Sequence, residues 1–123
     1  MKFRIELPKP LPSAANLREH WAARAKRVKA QRLAVRCAWS WRKAKYDLPA
    51  FPLVVTLTRV SPRALDPGDN LPGSMKAHRD ELAAILRIDD RDPRVAWVYR
   101  ERRGGVREHA VEVELLGCDG ART

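Results

Sequence analysis

Hydrophobic residues return at every second position in several separate stretches of this chain, and that periodicity restricts it to folds built around a β-sheet. In residues 2–7, Phe3, Ile5 and Leu7 face one way while Lys2, Arg4 and Glu6 face the other. In residues 95–102, Val95, Trp97 and Tyr99 share a side, and in 106–116, Val111, Val113 and Leu115 alternate with Glu112 and Glu114. An apolar stripe of period two suits a strand buried on one side only. Residues 53–60 are rich in β-branched side chains, with Leu53, Val55 and Leu57 facing together, and read as a central strand.

Between these strands the period changes. Residues 19–45 are mostly helix formers, and Ala30, Leu33, Ala34, Cys37, Ala38 and Trp41 recur as one apolar stripe opposite Lys29, Arg32, Arg36 and Lys43. Pro8, Pro10 and Pro12 end the first strand, and the turn formers of residues 61–73 predict an exposed loop. A short helix is expected over residues 74–86, with Met75, Leu82, Ile85 and Leu86 inward and Lys76, Asp80 and Ala83 on another side. Gly104-Gly105 reads as a hairpin turn. The expected fold is therefore α/β in the α+β sense: a small mixed four-stranded sheet with two helices, in the order β-α-β-α-β-β.

The chain has 123 residues, 45% of them hydrophobic, which suits one domain over residues 1–117 followed by a short flexible tail, 118–123. Cys37 and Cys118 form no C-x-x-C pair, and the start of the chain lacks a continuous apolar run. Free thiols and a cytoplasmic protein without membrane association are expected.

A net charge of +10 implies an acidic partner, nucleic acid before an anionic membrane. The charge is concentrated. Between His20 and Tyr46 there is no acidic residue, while Arg24, Lys26, Arg27, Lys29, Arg32, Arg36, Arg42, Lys43 and Lys45 all fall in that window. A merely solvated helix gains from mixed i,i+4 pairs, so an acid-free one points to phosphate contact.

Against this background, Asp66, Asp69, Asp80, Asp89 and Asp90 gather around Lys76. Taken singly, Asp69-Asn70 is a turn or helix cap, Lys76 with Asp80 an i,i+4 pair, and Asp89-Asp90 a polar turn. Together they suit a hard divalent cation, because Mg²⁺ prefers carboxylate oxygens and bridges them to phosphate. Such a site hydrolyses phosphodiesters, with Lys76 placed to offset charge in the transition state.

The stretches Leu65-Asp66-Pro67-Gly68-Asp69-Asn70-Leu71, Lys76-Ala77-His78-Arg79-Asp80 and Ile88-Asp89-Asp90-Arg91-Asp92-Pro93-Arg94 resemble the RusA family of Holliday junction resolvases, especially its phage and prophage branch. The proline-rich start and the basic run from His20 to Arg27 add to the likeness, which covers nearly the whole chain. The resemblance implies a homodimeric, Mg²⁺-dependent endodeoxyribonuclease, with Mn²⁺ able to substitute, that makes paired nicks in four-way DNA and needs no small-molecule cofactor. It assigns Asp69, Lys76 and Asp90 to catalysis, Asp66, Asp69, Asp89 and Asp90 to the metal, and Asn70 and Asp80 to support. Arg24, Lys26, Arg27, Lys29, Arg32 and Arg36 are the expected DNA contacts.

One position departs from the family. Its first aspartate stands three residues before the asparagine, where this chain has Pro67, and Asp66 lies one residue earlier. The shift motivates a second reading, a branched-DNA-binding protein of the same fold with weakened or absent catalysis. A third, an RNA-binding module, rests on the charge and the four tryptophans. Of these, Trp39, Trp41 and Trp97 are expected in core or dimer contacts.

Overall fold

The computed structural model describes residues 1–8, 11, 20–43, 49–64, 70–89 and 91–117. It is a mixed α+β fold with a four-stranded mixed sheet and three helices: β1 (Lys2–Glu6), α1 (Trp21–Lys43), β2 (Leu53–Ser61), α2 (Leu71–Ser74), α3 (Lys76–Leu86), β3 (Val95–Arg103) and β4 (Ala110–Gly117). The strands lie in the order β1-β4-β2-β3, with only β2 and β3 parallel. The expected tail, together with Cys118, lies outside the described residues.

The alternating residues point where their period predicts. Phe3, Ile5, Val55, Leu57, Val111, Val113 and Leu115 form one buried face, covered by Val35 and Trp39 of α1 and by Leu82 and Leu86 of α3. Phe3 meets Trp39 edge to face at 6.1 Å, fixing α1 against the edge strand. As expected, β2 is central, paired on both sides.

Three expectations are corrected. Gly104-Gly105 is not a hairpin, because β4 does not pair with β3 but lies between β1 and β2. Skipping a strand means crossing roughly 10 Å, beyond a two-residue turn, and residues 104–109 make that crossing over the end of β2. Gly104 donates its N–H to Ser61 there at 2.9 Å. A Cβ on it would lie 2.9 Å from Val60 Cγ1, so the crossing needs glycine. The strand whose Val111, Val113 and Leu115 are fully buried takes the interior position, while the cation-rich end of β3 stays at an edge.

The inward face of α1 is also rotated from the expected stripe. Val35 and Trp39 are buried and Ala34 and Ala38 half-buried, whereas Leu33 is 52% and Trp41 71% exposed and Cys37 is an exposed thiol. Alanines fit either face, so the two bulky residues that meet the sheet set the rotation. Trp41 is thus no core residue, while Trp97 is half-buried, with the Arg79 guanidinium 4.8 Å above its ring.

The single helix expected over residues 74–86 is two. Asn70 Oδ1 accepts the Gly73 N–H at 3.0 Å and caps the short α2, the chain breaks at Met75, and α3 begins at Lys76. Part of the expected loop is therefore helical. Met75, Leu82 and Leu86 are buried as predicted, but so are Ala83, His78 and Glu81.

The second face of the sheet points away from the described helices. Register places Leu116, Val54 and Ala96 in one row across it, Lys2, Glu114, Thr56 and Val98 in the next, and Arg4, Glu112, Thr58 and Arg100 beyond. Among the described residues no helix is long and apolar enough to cross a membrane.

Candidate functional site

Lys76 opens α3, and its helical spacing sets Asp80 one turn later on the same face, where Nζ donates to Asp80 Oδ2 at 2.9 Å. The lysine side chain is 68% exposed, so the pair faces outward from the core. Asn70 stands just before this end of the helix as the α2 cap. Asp89 follows the other end, about 16 Å away along an eleven-residue helix. It is exposed, and its Oδ1 accepts the Arg91 N–H at 2.9 Å, closing a tight turn. The next turn is braced by Arg94, whose hydrogen bonds hold the Asp92 carboxyl down to about 2.

The structure thus brings Lys76 and Asp80 together. Asp66, Asp69 and Asp90 lie outside the described residues. Among the described residues no three acidic, histidine or cysteine side chains converge as a metal site.

A second constellation joins α3 to the basic helix. Arg32 and Arg36, one turn apart on α1, direct their Nε groups to Glu81 Oε1 and Oε2 at 2.8 and 3.2 Å. Burial pushes the Glu81 carboxyl up, but the two arginines outweigh it and hold the group ionised below its usual range. Glu81 is 4% exposed, so this is a buried carboxylate gripping two cations that reach the surface. Each arginine engages it through Nε.

These arginines line a groove of about 690 Å³ along α1, with Trp21, Arg24, Lys29 and Leu33. Trp21 is 76% exposed at its end, 5.4 Å from the His20 ring. Arg24, Lys26 and Lys29 are exposed, and Arg27 is half-buried with Nη1 on Gln31 at 3.3 Å. All six expected DNA contacts therefore lie on one helix that reaches solvent. Its surface combines fixed cations with an aromatic ring, which suits a phosphate chain bearing bases.

Sequence reading did not anticipate Glu81 or His78. His78 is fully buried with neither ring nitrogen hydrogen-bonded, and burial lowers its pKa to about 4, so it is neutral. The i,i+4 spacing of Arg32 and Arg36 was the one available hint of a shared anion. Comparison with known protein families finds no family model that matches this chain, and comparison with curated proteins finds no match.

Proposed function

We propose that this protein is a Mg²⁺-dependent endodeoxyribonuclease that acts as a homodimer and resolves four-way DNA junctions by paired phosphodiester hydrolysis. The observation that carries the reading is Glu81, which binds Arg32 and Arg36 of the basic helix to α3, the helix that opens with Lys76. A DNA strand in the α1 groove is thereby held in fixed relation to Lys76. Two-fold symmetry would give two such surfaces, matching the paired strands of a junction.

The donors available to the metal are hard carboxylate oxygens, the chemistry Mg²⁺ prefers, and Mn²⁺ accepts the same set. Asp69 and Asp90, with Asp66 and Asp89, would hold it. Once bound, the ion supplies an activated water and neutralises charge on the scissile phosphate. Lys76 Nζ, set by Asp80, offsets charge on the phosphoryl oxygens as it builds. Asn70 orders the entry to α2 and so the chain that follows Asp69.

Pro67 favours one alternative, the same junction-binding surface with weakened incision, because a displaced aspartate near a metal costs on the order of 100-fold in rate for about 1 Å. A synthetic four-way junction with Mg²⁺ separates the two readings. Paired nicks that Asp90→Asn abolishes while leaving binding intact support the nuclease, binding without incision by the native chain supports the alternative, and preference for RNA over the junction rejects both.

A further inference from the structure

We infer that the carboxyl ends of β2 and β3 form a binding site for a phosphate monoester, carried by a mononucleotide or by the phosphorylated end of a strand. These two strands run parallel and finish level, with Ser61 beside Arg103. In open sheets the carboxyl ends of parallel strands are where ligands lodge. Here they enclose a pocket of about 420 Å³ walled by Ser61, Arg63, Glu101, Arg102 and Arg103, within the size range of small-molecule sites. None of these residues lines the α1 groove.

The balance of charge in the pocket selects the ligand. Of its three arginines, Arg102 is committed to Glu112 at 2.7 Å. Its one acid, Glu101, is offset by Arg59, whose side chain is 9% exposed and whose Nη1 lies 3.4 Å from Oε2. Arg63 and Arg103 are exposed, and neither side chain makes a hydrogen bond or ion pair among the described residues. Two uncompensated positive charges therefore line one small pocket. They match a phosphate monoester, which carries about −1.5 to −2 at neutral pH, better than the single charge of a diester. The planar fork of a guanidinium also suits two phosphate oxygens at once.

The walls are fixed before any ligand arrives. Arg59 Nη1 donates to the Arg63 carbonyl at 3.1 Å, pinning the chain that leaves β2. The Gly104 N–H donates to the Ser61 carbonyl at 2.9 Å, pinning the chain that leaves β3. Ser61 Oγ accepts the Arg63 N–H at 3.4 Å, and its own hydrogen can be donated to a phosphate oxygen. An anion entering here meets groups whose backbone is already ordered, which lowers the entropic cost of binding.

The test is titration of the full chain, without DNA or divalent metal, followed by amide chemical shifts. Methyl phosphate should give saturable shifts at Ser61, Arg63 and Arg103, and dimethyl phosphate should bind about tenfold more weakly or worse. Arg63→Gln and Arg103→Gln should each weaken methyl phosphate by about tenfold, whereas Arg87→Gln, the same loss of charge at an exposed site beyond α3, leaves it unchanged. Two further arms separate the sources. Adenosine monophosphate binding more tightly than methyl phosphate supports a mononucleotide, and an oligonucleotide that gains affinity from a 5′-phosphate, with the gain lost in Arg63→Gln, supports a strand end. Circular dichroism checks the variants, and the comparison of the two methyl phosphates on the native chain needs none. Absence of saturable shifts at the pocket, equal affinity for the mono- and diester, or folded Arg63→Gln and Arg103→Gln variants of native affinity would each overturn the inference. The site uses neither the α1 groove nor a metal, so its failure would leave the nuclease reading standing, and the reverse.

Discussion

Lys76 is bonded to a carboxylate yet largely exposed, and these two facts separate the chemical role proposed for it from its structural one. An exposed i,i+4 ion pair contributes only about 0.3–0.5 kcal/mol. Lys76→Met should therefore barely shift the urea midpoint while eliminating junction incision, and a folded variant that still cuts would take Lys76 out of the chemistry. His78 makes the opposite kind of contribution. With a folded pKa near 4, below its ordinary 6.5, it binds fewer protons folded than unfolded in that window, so its stability is complete above pH 6.5 and is lost as the pH falls toward 4. The difference corresponds to at most about 3 kcal/mol. Replacing it with leucine should flatten stability against pH between 4 and 6.5, measured by denaturant unfolding, and an unchanged slope would show that the ring reaches water. Glu81, with its carboxyl held low by two arginines, loses stability in the same direction on acidification.

At the scale of elements, the basic helix is where affinity should reside. Lys29 is exposed beside the groove, so Lys29→Ala should weaken DNA binding across sequences and lower the slope of log K against log salt by about 1. An unchanged slope would place the phosphates elsewhere. The helix itself was legible from its residue types, but its inward face was not, because alanines at 30, 34 and 38 fit either side and the packing of Val35 and Trp39 decides. Strands were legible for the reason that period-two burial is local. Their order was not, since a Gly-Gly pair marks a change of direction without saying which strand comes next. The neighbours of β4 follow from burial of Val111, Val113 and Leu115, a property of the whole sheet. The Glu81 clamp was hidden for the same reason: it exists only once α1 lies on α3.

For the molecule as a whole, charge is partitioned among separate surfaces, including the cationic groove of α1, the outward face of α3 with Lys76 and Asp80, and the neutral sheet face. The types of residue needed for a metal site were readable from the acidic residues of a basic chain. Whether they converge is not written in the sequence, because Asp69 and Asp90 flank the two ends of a helix segment and only tertiary folding can unite them. The proposed metal site depends on that union. A crystal structure of the protein soaked in Mn²⁺, with anomalous scattering to locate the ion, tests it most directly. The account predicts a peak coordinated by Asp69 and Asp90 close to Lys76. An ion bound elsewhere, with these two carboxylates apart in both the subunit and the dimer, would contradict it.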